Sequence, residues 1–173
     1  MQEFKREFLD LSIQHWLSYE FLTWRWFLKV VILISAIIVC VKLIDKKRAF
    51  ETVAYGLLVS LVSTALDAVG TGFAFWEYPV RLLPLEFSEI HDFVLIPVVY
   101  MLLYQRFVKW KEFIIADALV SVLGSFIVEP VFAALGFYRV ITWRHIYSLP
   151  IFFAIAAFSK FIIDKLKAKD NGV

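Results

Sequence analysis

The chain has 173 residues, 61% of them hydrophobic, with 18 Phe and 6 Trp and a mean hydropathy of +0.76. Soluble domains are about 45–50% apolar, and so small a domain cannot hide this much apolar surface, so a water-soluble globule is excluded and lipid is the expected solvent. The formal net charge is only +2, and the 18 basic residues are scattered between apolar runs, which points away from a nucleic-acid partner.

The first ten residues mix Glu3, Glu7 and Asp10 with Lys5 and Arg6, a pattern that predicts no cleavable signal. Leu9, Ile13, Trp16, Leu17, Phe21 and Trp24 then fall on one helical face, with Gln2, Lys5, Arg6, Asp10 and Gln14 mostly elsewhere. This predicts an amphipathic helix over residues 1–25 lying on the membrane surface, with His15 as an interfacial ring. A helical crossing needs roughly 20 apolar residues. Five candidates follow: Phe27 to Ile44, Phe50 to Phe73, Phe93 to Val108, Phe113 to Leu135 and Ile146 to Ile163. The third is short and is expected to start before His91. The runs are continuous and do not alternate, so the expected fold class is all-α: a five-helix transmembrane bundle over residues 26–166, then a cytoplasmic tail over 167–173. The single cysteine, Cys40, lies inside the first run and reads as a packing residue.

Lys and Arg counts predict the orientation. Lys42, Lys46, Lys47, Arg48, Arg106, Lys109, Lys111, Lys160, Lys165, Lys167 and Lys169 fall on one side, and Lys5, Arg6, Arg25, Lys29, Arg81, Arg139 and Arg144 on the other. The N-terminus is therefore expected outside and the C-terminus in the cytoplasm of a cell membrane. The second and third runs resemble the fourth and fifth. Each pair has an acid in its first helix (Asp67, Glu129), an aromatic exit ("FWEYP", "LGFYRV"), then a histidine followed by a proline (His91 and Pro97, His145 and Pro150). That is the pattern a duplication would leave.

Gly56, Ser60, Ser63, Asp67 and Gly70 recur at steps of four and three and form one stripe. Small residues let helices approach closely in lipid. A carboxylate facing hydrocarbon costs about 3 kcal/mol or more, so this stripe must be an inward face. Asp117, Ser121, Ser125 and Glu129 repeat at four in the fourth run, and Pro130 removes a backbone donor, freeing the Phe126 carbonyl. Asp117 is expected near the cytoplasmic end, solvated or paired with Lys109 or Lys111. Asp67 and Glu129 are expected at similar depth in the outer leaflet, roofed by the acids of "FWEYPVRLLPLEFSEIHDF", with Pro79 and Pro84 stiffening that segment. Trp76, Tyr78, Tyr138, Trp143 and Tyr147 are expected to form an interfacial belt. The polar cluster reads either as a site for a cation, a proton or a polar ligand head, or as internal pairing of Asp67 or Glu129 with Arg81 or Arg144. No compact metal-ligand spacing, phosphate loop or nucleophile elbow occurs, so neither metal nor cofactor is expected.

"LDAVGTGFAFWEYP", "PVVYMLLYQRFVKWKEF", "VEPVFAALGFY" and "WRHIYSLPIFF" resemble a family of small multi-pass membrane proteins of spore-forming Firmicutes. The resemblance implies a bacterial plasma-membrane bundle and assigns no activity. Locally, Asp67, the Trp76 and Tyr78 pair, Pro84 and Glu86 are similar in order to a motif of heterodimeric lycopene cyclase domains. Those domains follow a proline with paired glutamates and protonate a polyene; here Phe87 follows Glu86, and Glu89 comes later.

The expected function is binding of a small ligand, ion or partner in an outer-leaflet pocket, as a transport accessory or sensor. The expected ligand residues are Asp67, Trp76, Tyr78, Glu86, His91, Asp92, Glu129, Arg144, His145 and Tyr147. A homo- or hetero-oligomer is an expected partner state. The alternative is a membrane-embedded enzyme modifying an isoprenoid or lipid, with Glu86 donating a proton and Asp67 and Glu129 stabilising positive charge.

Overall fold

The computed structural model of the chain describes residues 2–84 and 91–170. Glu86 and Glu89 lie outside the described residues, and His91 is placed by its backbone alone.

Helix α1, Gln2–His15, widens into a π-type turn at Trp16–Glu20. The helix ends there because Leu22 takes a left-handed conformation, with φ of 57°. Thr23 then starts α2, Trp24–Leu43: its hydroxyl oxygen accepts from the Trp26 N–H at 3.3 Å and its own proton goes to the Glu20 carbonyl at 2.7 Å. The N-terminal helical unit therefore stops at Phe21, before the predicted boundary. Its expected apolar face is divided: Trp16 is buried, whereas Leu9, Leu17 and Trp24 are exposed.

Helix α3 is Ala49–Gly72. A wide turn at His91–Leu95 leads into α4, Ile96–Arg106. Helix α5, Trp110–Leu123, passes through a third wide turn, Gly124–Val128, into α6, Glu129–Ala134. Helix α7 is His145–Asp170. Pro130 explains the third wide turn, because a proline cannot donate to the helical ladder. The Glu129 N–H bonds the Gly124 carbonyl, five residues back, and the ladder resumes beyond the proline.

Four stretches are long and apolar enough to cross a membrane: Trp24–Leu43, Ala49–Gly72, Trp110–Ala134 and His145–Lys169. The third predicted crossing is not among them. Within the described residues it spans the wide turn and the eleven residues of α4, and it stops when the backbone leaves the helix at Phe107.

Contacts set the helix directions. Lys167 near the end of α7 reaches Glu51 at the start of α3 at 2.9 Å, and the Tyr104 hydroxyl near the end of α4 donates to the same carboxylate at 2.6 Å. The Gln105 side-chain amide donates to the Leu43 carbonyl at 2.8 Å. Helices α2, α4 and α7 therefore run one way and α3 the other. Tyr55 and Val59 pack with Tyr100, Tyr104, Phe113, Ile155 and Ala156 in the buried core. The opposite side of α3 carries Phe50, Leu57 and Leu61, all strongly exposed. Outside the core, apolar side chains face outward, the reverse of a soluble protein.

At the far end from Glu51, the two loops that follow α3 and α6 meet. Strand β1, Trp76–Glu77, pairs antiparallel with β2, Arg139–Val140, with Trp76 opposite Val140 and Glu77 opposite Arg139. Glu77 and Arg139 also form an ion pair across the ladder. The two aromatic exits of the repeat pattern are thus hydrogen-bonded to each other. Just before β1, Ala74 has φ of 54°, a left-handed conformation that costs a residue with a Cβ about 1–2 kcal/mol. Ala74→Gly is expected to stabilise the folded state by up to about 1 kcal/mol, read as a raised thermal midpoint in detergent. A lowered midpoint would contradict this.

Candidate functional site

The inward stripe of α3 turns Asp67 toward the loop β1 belongs to. The Trp76 indole N–H donates to Asp67 Oδ1 at 2.8 Å, and the Tyr78 hydroxyl donates to the same oxygen at 2.5 Å. Alternate residues of an extended segment point the same way, so the Trp-x-Tyr spacing delivers both donors to one carboxylate. Oδ2 takes no hydrogen bond from any described residue.

Across from it, the wide turn before Pro130 presents Glu129, whose side chain is only 17% exposed. Its Oε2 lies 2.7 Å from Nδ1 of His145 at the start of α7. Ser148, one turn further along α7, accepts from the Trp143 indole N–H at 2.9 Å. Tyr138 sits between the two acids. Its ring is 5.9 Å from Tyr78 and 6.4 Å from both Trp76 and His145. Burial, then the nearby Glu129 and Asp67 carboxyls, push the Tyr138 phenol up from its ordinary value, so it stays a neutral donor.

All of these groups but His145, which sits behind Glu129, line one cavity of about 540 Å³, within the size range of small-molecule sites. Its polar lining includes Asp67, Asp92, Glu129, Lys29, Tyr78 and Ser148; most of the rest is aliphatic or aromatic, including Phe75, Phe132, Phe137 and Phe152. Lys29 from α2 donates to the Val80 carbonyl and lies over the Tyr78 and Phe137 rings. Asp92, in the wide turn before α4, is buried, and its carbonyl accepts from the Ser63 hydroxyl at 3.4 Å.

The structure thus brings together Asp67, Trp76, Tyr78, Asp92, Glu129 and His145. It does not bring in Arg144 or Tyr147, which are exposed and outside the cavity lining. They flank the first turn of α7 on its outer side, whereas His145 and Ser148, three residues apart, share the inner side. Glu86 lies outside the described residues, as does the side chain of His91.

Two further expectations resolve. Trp76, Tyr78, Tyr138 and Trp143, expected around the site, line its cavity, and the polar atoms of Trp76, Tyr78 and Trp143 find their partners inside. Neither acid pairs with Arg81: its guanidinium goes to Glu20 at 2.9 Å. Lys29, Phe75 and Phe137 were not anticipated. A charge one turn inside an apolar run was the available signal for Lys29. Among the described residues no group of three or more His, Cys, Asp or Glu is placed to hold a metal. No family model, curated protein or solved structure matches the chain.

Proposed function

We propose that the protein binds a small, largely apolar molecule bearing a cationic or hydrogen-bond-donating group, acting in a membrane as a transport accessory or sensor. One observation carries this reading: an acid from α3 and an acid from α6 meet in a single aromatic-walled cavity, and both described donors to Asp67 go to Oδ1. Apolar walls would hold the body of the ligand, and the carboxyls and rings would hold its positive or donating end.

In the bilayer, the His91–Leu95 turn and α4 make a fifth crossing, and α1 lies on the surface. The end bearing Asp67 and Glu129 faces outward, and the end rich in Lys and Arg faces the cytoplasm. Tetraphenylphosphonium is a suitable probe, since it joins a positive charge to four aromatic rings. Titrated into the purified protein, it is expected to bind. Asp67→Asn and Glu129→Gln should each weaken binding roughly tenfold or more, about 1.4 kcal/mol per decade. Failure of the wild type to bind, or equal binding by both variants, would overturn the assignment.

A second reading is favoured by the rings of Phe75, Trp76 and Trp143 in the cavity wall beside the acids, where Phe75 stacks on Trp143 and Trp76 meets it edge-on. Such walls suit a carbocation, as acid-initiated isoprenoid chemistry requires. A mass spectrum of lipids co-purified with the protein separates the two. A polyene and its isomer of equal mass favour the enzyme, and a cationic or amine-bearing amphiphile favours binding.

A further inference from the structure

The cavity is closed at both ends. Tyr100 and Ile155 line its deep end and are buried. On α5, Phe113, Asp117, Ser121 and Ser125 form one fully buried row that runs on toward the Glu51 end. Asp117 is therefore neither solvated nor lysine-paired, as had been expected: Lys109 pairs with Glu112, and Asp117 Oδ1 has the Ser121 hydroxyl at 3.3 Å. At the opposite end, beside the strands, the lining residues Phe137 and Tyr138 are buried as well.

The sides differ. Leu66 and Val69 of α3, Val99 of α4, Leu123 of α5 and Val128 of the wide turn all line the cavity, yet each is between 41% and 52% exposed. Residues that touch both the cavity and the outside mark a thin or open wall, and in a membrane the outside of this bundle is lipid. Three of the five belong to α4, α5 and the turn after α5. These two helices are tied together by residues 107–109 at the Glu51 end. Toward the cavity each runs into a wide turn, His91–Leu95 or Gly124–Val128, and such turns kink helices sharply. Two helices joined at one end and kinked at the other leave a gap between them.

The lining is also graded. Glu129 gives way to Leu123 and Val120 on one wall, and Ser148 gives way to Ile151 and Ile155 on another. From Glu129 back to Val120 is about 13 Å of helix rise, enough to hold a length of hydrocarbon chain. Polar groups thus sit toward the strands and apolar ones toward the middle of the bundle, the same sense as a lipid in the adjacent leaflet.

We propose that the cavity takes its ligand sideways from the bilayer. The ligand is a lipid-like amphiphile with an amine or quaternary ammonium head, which sits at Asp67 and Glu129 while its hydrocarbon chain passes out between α4 and α5. This rests on the cavity reading above and narrows its ligand to one already dissolved in the membrane. Such a molecule need not pass the buried rings at the strand end, and the part of its chain outside the gap stays in hydrocarbon.

Photolabelling in lipid nanodiscs tests the route. The probe is hexadecyltrimethylammonium carrying a diazirine in the middle of its chain, and labelled residues are read by peptide mass spectrometry. Tyr100 and Ile155 report entry, because both line the cavity and neither is exposed to the surrounding lipid. Both are expected to be labelled. Val99→Trp and Leu123→Trp, which narrow the gap, should each cut that label roughly tenfold by slowing entry. Leu57→Trp, on the exposed outer side of α3, should leave it unchanged. Tyr100 and Ile155 left unlabelled, or labelled equally in the gap variants, would overturn the proposal. Should one gap variant not fold, the other and the wild-type label decide.

Excess tetraphenylphosphonium, Asp67→Asn and Glu129→Gln should each suppress the same label. Label that all three leave intact overturns the head position and the cavity reading with it. Absence of label on Tyr100 and Ile155, with acid-dependent binding of tetraphenylphosphonium retained, overturns the sideways route alone.

Discussion

Glu20→Ala is expected to destabilise the protein by about 3–5 kcal/mol, the range for removing one partner of a buried ion pair. The Glu20 side chain is 3% exposed and accepts three donors from one residue: the Arg81 backbone N–H at 2.6 Å, Nη2 at 2.9 Å and Nε at 3.4 Å. Without it, the largely buried guanidinium keeps only its 3.3 Å bond to the Ser12 hydroxyl. The loss would spread along the loop. Trp16 donates to the Arg81 carbonyl at 3.0 Å and Trp26 to the Leu82 carbonyl at 3.1 Å, so the wide turn after α1 and helix α2 hold residues 81–82 through their backbone. Unfolding in detergent mixtures measures the effect. The pair Glu20→Ala with Arg81→Ala should lose less than the two single changes added together, because the stranded charge is gone. Additive losses would mean that the two side chains do not interact.

The second large effect is at Gly70. A Cβ there would stand 2.0 Å from Trp76 Cζ2 and 2.1 Å from Cη2, in the middle of a rigid ring. Gly70→Ala must displace the indole that donates to Asp67, and such overpacking costs about 1–3 kcal/mol. Gly56 offers a contrast: its added Cβ meets the Met101 thioether at 2.3 Å, a flexible chain that can turn aside. At Gly72 nothing lies within 4 Å, so Gly72→Ala serves as the harmless control. Gly70→Ala should lower the thermal midpoint and weaken tetraphenylphosphonium binding together, with Gly72→Ala changing neither. Unaltered binding in Gly70→Ala would show that the Trp76 indole is dispensable to the cavity.

The bundle was legible because hydrophobic run length is a one-dimensional signal. The inward stripe was legible because a carboxylate among small residues at helical spacing has one affordable direction, and Gly56, Ser63 and Gly70 are indeed buried. Partner choice was harder to read. Arg81 lay nearer in sequence to Asp67 than to Glu20, yet its partner came from 61 residues away. Asp117 was misplaced for a similar reason. Two lysines stood close by in sequence, but Asp117 shares its helix face with Ser121 and Ser125, and that face is sealed. The pairing of "WE" with "RV" had no signal beyond the likeness of the two aromatic exits, since two-residue strands carry no periodicity.

The wide turn at Gly124–Val128 also sets the phase of its helix. At 3.6 residues per turn, a side chain repeated every four residues creeps around the axis by about 40° per step. From Asp117 through Ser121 and Ser125 to Glu129, three such steps would swing the last acid about 120° away from the first. One residue absorbed into the wide turn returns about 100° of that rotation. The bulge works like a vernier correction: it lets a straight four-residue ladder keep both acids aimed at the middle of the bundle.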